Sequence, residues 1–255
     1  MDATHNDSPA WNEVLPHLRH TECLLGDLLH KVRSQAKLTA GYLRIGGILA
    51  IIAATQWIIG VFIAQAYYPN YSITQNDLSD LGATCHNATM PTPGSCVIFQ
   101  PSSIIWNTVL SLLGIMTMAS AYMIYRGLGN RLLSTLLGLF GLGALIAGVV
   151  PENVDLTTHG LGALVSFVAG AIAAVTVYRA RLEAPPYFRY LSMLFGVISL
   201  AGLAIMLSVS FATLEGSVIG HGGDERIIVY PLLVWEIVLG VSLMRNLTRT
   251  RGLAR

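Results

Sequence analysis

Six apolar runs of about twenty residues, none interrupted by Lys or Arg, constrain this 255-residue chain more than any other feature. They are Ile45–Tyr67, Ile104–Tyr125, Leu132–Val150, Gly160–Tyr178, Leu191–Leu214 and Ile227–Met244. A helix needs about 20 apolar residues to cross a hydrocarbon core of about 30 Å. Backbone amides and carbonyls cannot stay unpaired in lipid, and the alternation of a membrane β-barrel is absent, so each run reads as a helix. Charged residues make up only 11% of the chain and mean hydropathy is +0.60, against roughly a quarter charged in soluble domains. The expected fold is an all-α, polytopic membrane bundle of six transmembrane helices.

The basic residues set the expected orientation. Fourteen of fifteen fall before the first run, in the second-to-third and fourth-to-fifth connections, or after the sixth; only Arg226 lies on the other side. The positive-inside rule then predicts cytoplasmic N and C termini. Domain organisation follows: a cytoplasmic segment over residues 1–40, a six-span membrane domain over 41–246, and a basic cytoplasmic tail over 247–255. The first apolar run starts too late and is too long for a cleaved signal peptide. In the N-terminal segment Val14, Leu18, Leu25, Leu28, Leu29 and Val32 recur at helical spacing. A helix on the membrane surface, a helix under the bundle and a weakly ordered tail all remain open.

The first outer connection, Tyr68–Ser103, is long and polar. Cys85 and Cys96 lie within it, in a compartment that would permit a disulfide, with two separate thiols as the alternative. Its sequons Asn70-Tyr-Ser and Asn87-Ala-Thr matter only in a eukaryotic secretory pathway. Two further outer connections, Pro151–His159 and Glu215–Arg226, are short and acidic. Small residues recur every four positions at Gly162, Ser166, Gly170 and Ala174, and Gly138, Gly141, Gly143 and Gly148 punctuate the third span. Such stripes let helices approach closely, here as packing within the bundle.

The outer side concentrates groups that do chemistry. Asp77, Asp80, Glu152, Asp155, Glu215, Asp224 and Glu225 are half of the chain's 14 carboxylates, accompanied by His86, His159, His221 and Arg226. An acidic mouth attracts a cation or polar headgroup, or supplies acid–base groups. Solvated loop ends are the bland alternative. In Asn76-Asp-Leu-Ser-Asp-Leu-Gly82, a short turn would set Asp77 and Asp80 on one face beside Ser79, with Gly82 closing it in a left-handed conformation. Thr157 or Thr158 would cap the fourth helix and leave His159 at the interface. Gly220-His-Gly-Gly-Asp-Glu-Arg226 reads as a flexible turn. Glu236 lies well inside the sixth span, about 14 Å along it. An intramembrane carboxylate must face the interior, be paired or be protonated, with Gln56, Ser111, Ser166 and Ser208 available in other spans.

Asp77-Leu-Ser-Asp-Leu-Gly82, Pro151-Glu152 and His159-Gly160 together resemble the membrane family known as domain-of-unknown-function family 998, from about Gly41 to Arg245. A more distant likeness joins the chain to the DRAM/Frag/Sfk six-span group, on the Asp77–Asp80 segment and His159-Gly-Leu-Gly-Ala163. In that group's first motif Leu78 stands where Ile is expected, and the Cys85–Cys96 loop departs from it. The first resemblance implies the fold and carries no settled activity; the second implies lipid handling.

These readings leave four functions in contention. The first is an outward-facing pocket for a lipid headgroup or another amphiphile, with Asp77, Ser79, Asp155, His221, Glu225 and Arg226 as ligand-binding candidates and Glu236 at the floor. The second is an enzyme on a lipid-soluble substrate, with Asp80, Glu152, His159 and Glu236 as acid–base candidates. A proton- or ion-coupled transporter and a scaffold are the others. Ser79 and His159 suit a hydrolase by type alone, since no nucleophile elbow is present. No His-Glu-x-x-His motif is present and no metal site is assigned. No cofactor is named. Expected partners are membrane lipids and an amphiphilic ligand but not nucleic acid, and a homo-oligomer stays open.

Overall fold

A computed structural model describes residues 11–85, 96–179, 182, 184–212 and 219–252. Six helices account for most of them: α1 Trp11–Ala66, α2 Ser102–Leu128, α3 Arg131–Val149, α4 Glu152–Thr176, α5 Pro186–Ala212 and α6 Gly220–Gly252. All six are long and apolar enough to cross a membrane. Among the described residues no strand forms, only an isolated antiparallel bridge between Thr84 and Val97. His86, the Asn87 sequon and Glu215 lie outside the described residues.

Each helix packs on its neighbours in sequence, and α6 returns to α1, closing the bundle. Two core layers result. Trp57, Trp106, Leu110, Leu113, Ala144 and Leu233 fill the acidic end, and Ile124, Leu137, Phe140, Trp235, Leu239 and Leu243 fill the basic end. Helices cannot be driven together by apolar burial alone in lipid, so close backbone approach matters. A Cβ on Gly143 would stand 2.4 Å from the Gly162 carbonyl of α4, and one on Gly141 would stand 2.6 Å from the Gly114 carbonyl of α2. Gly141, Gly143, Gly148, Gly162 and Gly170 therefore serve packing within the bundle, whereas Gly138 does not. Pro231 removes an amide donor from α6, and Ser199 of α5 donates to the nearby Ile228 carbonyl at 2.7 Å.

Several boundaries differ from the sequence reading. α1 is one helix of 56 residues, about 84 Å long, so the N-terminal segment continues the first span; Leu28, Leu29 and Val32 are exposed along it. Pro151–His159 is not a loop but the start of α4, whose backbone breaks its helical form at Asp155. The cap there is Asp155 itself, not a threonine: its carboxylate accepts the Thr157 amide at 3.0 Å and the Thr158 amide at 3.2 Å. Gly220–Arg226 is likewise helical rather than a flexible turn, and one of its first amides meets an acceptor from the first connection. The Gly222 amide donates to the Thr74 carbonyl at 3.1 Å.

Gly143→Leu should drive α3 from α4 and cost about 1–3 kcal/mol or more. Gly160→Ala, whose Cβ meets nothing within 4 Å, should be neutral. Thermal unfolding of both variants in the same detergent checks the contrast.

Candidate functional site

Part of the polar first connection does not stay in solvent. Its Asn76–Gly82 segment tucks back onto the bundle because Leu78 and Leu81, apolar residues in polar surroundings, are buried to 0% and 1% exposure. Ser79–Leu81 forms one 3-10 turn. Asp80 organises it: its carboxylate accepts the Asp77 amide at 3.0 Å and the Asn76 side-chain amide at 2.9 Å. Gly82 is right-handed (φ −82°, ψ −47°), not left-handed as expected. It is needed for space, since a Cβ there would lie 2.7 Å from the Trp106 ring. Cys85 and Cys96 are joined by a disulfide just beyond.

The first turns of α6 hold this segment. The Leu78 amide donates to the Glu225 carboxylate. Arg226 donates to the Asn76 carbonyl at 3.1 Å, to the Gly222 carbonyl at 2.7 Å and to the Tyr71 hydroxyl at 2.7 Å. Tyr71 passes its own proton to the Asp77 carbonyl at 2.8 Å. Burial raises the Tyr71 phenol above its ordinary value, an effect Arg226 only partly opposes, so it remains a donor at neutral pH. Glycine is required at two positions in this contact. Gly220 has φ +75° and its Cβ would stand 2.0 Å from the Thr74 carbonyl; one on Gly222 would stand 2.1 Å from the Asn76 carbonyl.

Beneath the segment lies a narrow cleft of about 50 Å³, lined by α1, α2, α3, α4 and α6. Its walls are apolar: Trp57, Trp106, Leu113, Phe140, Ala163, Phe167 and Leu232 are among them. Four polar side chains reach it, Ser79, His159, Ser166 and Glu225. His159 Nδ1 lies 3.0 Å from the carbonyl oxygens of both Ala147 and Val150. Carbonyls only accept, so Nδ1 carries hydrogen and Nε2 is the nitrogen left for proton exchange. Nε2 faces Glu152 at 3.7 Å. Glu225 also feels the charges of Asp77, Glu152 and Arg226, which places all of them about one end of the cleft.

The candidates thus divide. Asp77, Ser79, Asp80, Glu152, His159, Glu225 and Arg226 gather at the acidic end. Asp155 is exposed and occupied in capping α4, and His221 is exposed on the first turn of α6. Glu236 lies about 24 Å along α6 and does not line the cleft, which ends at Leu232 and Leu233. Its partner is none of the residues expected. Thr117 of α2 donates to it at 2.7 Å, while Gln56, Ser111 and Ser208 donate to backbone carbonyls. No group of three or more His, Cys, Asp or Glu is placed to hold a metal ion among the described residues. Sequence reasoning missed the roles of Tyr71, Asn76 and Thr117; an aromatic and an amide beside buried leucines were the available signal for the first two.

Residues 51–242 match the model of a family described as a protein of unknown function, DUF998. The chain belongs to this family. No curated protein and no solved structure matches it, so nothing here supports the likeness to the DRAM/Frag/Sfk group. The DUF998 match takes in the covering segment, the cleft and the Glu225–Arg226 contact.

Arg226→Lys should destabilise the cover despite keeping the charge, because one ammonium cannot reproduce a guanidinium that serves three acceptors. A loss of about 1–3 kcal/mol is expected. Hydrogen exchange at the Leu78 amide should accelerate; unchanged exchange would contradict the arrangement.

Proposed function

We propose that this DUF998 protein binds an amphiphile in the covered cleft, its chain among the apolar walls and its headgroup at Ser79, His159 and Glu225. One observation carries the reading: an apolar cleft ends at Glu225, with Asp77 and Glu152 near enough to act on its charge. An apolar wall gains about 0.8 kcal/mol for each methylene it takes from water, which selects a chain. Asp77, Asp80, Glu152 and Glu225 outnumber Arg226 at this end, which selects an ammonium or a hydroxyl-rich headgroup over an anionic one. With the termini cytoplasmic, as the basic residues imply, this end opens outward.

A second reading, membrane-embedded acid–base chemistry on the bound amphiphile, is favoured by the His159 geometry. Two carbonyls fix the ring, and its exchangeable nitrogen points to a carboxylate beside the cleft. His159 and Glu152 would then exchange a proton with the headgroup, and Ser79 would orient it.

Native mass spectrometry of the purified protein with a long-chain alkylammonium amphiphile, against a fatty acid of equal length, tests the first reading. The wild type should retain the ammonium compound preferentially. Ala163→Phe, which fills the cleft, should reduce retention by at least about tenfold. Equal retention by Ala163→Phe would sink the proposal. His159→Gln cells that accumulate one unconverted lipid, while the purified variant still binds, would establish the second reading.

A further inference from the structure

A second hollow opens between α2 and α3 near the basic end and shares no lining residue with the cleft. It holds about 420 Å³ and is lined by Tyr122, Tyr125, Arg131, Ser134, Thr135 and Gly138, with Met118 and Ala121 among them. Three features separate it from an ordinary surface dip.

The first is Ser134. Serines in apolar helices return their proton to the carbonyl four residues back. Ser111 does so to Asn107 at 2.7 Å, and Ser192 to Phe188 at 2.7 Å. Ser134 does not: its hydroxyl is buried and has no hydrogen-bond partner among the described residues. A buried hydroxyl without a partner is costly, so it awaits an acceptor or donor from outside the chain.

The second is Gly138, one turn further along α3. Gly141, Gly143 and Gly148 each press on a neighbouring helix, but a Cβ at Gly138 would meet nothing within 4 Å. This glycine does not serve helix packing; it leaves the hollow open.

The third is the charge at the lip. Arg131 opens α3, where backbone amides face outward and favour an anion. Arg126 stacks 4.8 Å over the Tyr42 ring and donates to the Tyr122 hydroxyl at 2.8 Å, and does not itself line the hollow. Arg131 is the cation among the lining residues. A guanidinium beside two aliphatic hydroxyls matches a phosphodiester, and the groove below has room for a chain.

We propose that the α2–α3 hollow is a binding site for an anionic phospholipid, with Arg131 and Ser134 on its phosphate and its chain running over Gly138. The site lies at the end to which the sequence assigns fourteen of the fifteen basic residues, and basic pockets between membrane helices on that side suit acidic lipid. It does not depend on the amphiphile reading of the cleft.

The test is native mass spectrometry of the full chain in neutral detergent, with phosphatidylglycerol or phosphatidylcholine of identical chains. The wild type should hold phosphatidylglycerol about fivefold more than phosphatidylcholine, as expected for one basic contact. Arg131→Gln should abolish that preference and Ser134→Ala should weaken it severalfold. Gly138→Leu should block retention while leaving the melting temperature unchanged, since a Cβ there meets nothing within 4 Å. Equal retention of the two lipids by the wild type, or undiminished phosphatidylglycerol on Gly138→Leu, would overturn the proposal. So would an equal loss in Arg249→Gln, which would assign the preference to the basic end at large.

Discussion

Glu225 and Arg226 hold a stretch of chain about 150 residues away in sequence, and the site depends on that contact. The Leu78 amide and the Asn76 carbonyl would otherwise sit half in the bundle without partners, at a cost of about 1–3 kcal/mol each. A carboxylate and a guanidinium side by side satisfy one donor and one acceptor of the same turn. The turn can then bury Leu78 and Leu81, bring Ser79 over the cleft and place Asp77 near Glu152. Two glycines at the head of α6 make the approach sterically feasible, so backbone space and side-chain charge act on the same few ångströms.

The chemistry that follows is divided by depth. At the acidic end the cleft meets carboxylates and a ring nitrogen held in one orientation by two carbonyls. Below them its walls are tryptophan, phenylalanine and leucine. Glu236 belongs to neither zone. It is 1% exposed, bound by Thr117 on one oxygen, and has a second oxygen with no hydrogen-bond partner among the described residues. Its surroundings tie α2 to α6 beneath the cleft rather than forming its floor.

Much of the fold was legible because the bilayer leaves few choices. Twenty apolar residues without a cation must span, and their order already predicts antiparallel neighbours. The glycines of α3 and α4 announced close packing for the same reason. The site was legible by residue type but not by arrangement. Asp155 and His221 read like their neighbours in sequence, yet one caps a helix and the other faces outward, because helical phase at α4 and α6 begins earlier than apolarity suggests. Tyr71 and Thr117 were invisible as partners: which residue of α2 meets Glu236 depends on rotation of two helices, which hydropathy does not encode. Gly220 and Gly222 looked like a flexible turn when they are contact points for carbonyls of residues 74 and 76.

The structure of the protein in lipid nanodiscs without detergent tests the account most directly. It should show elongated density among Trp57, Phe140 and Phe167, ending in a headgroup against His159 and Glu225 beneath an ordered Asn76–Gly82 segment. A cleft filled only by ordered water, or collapsed side chains with the segment lifted from Glu225, would contradict it.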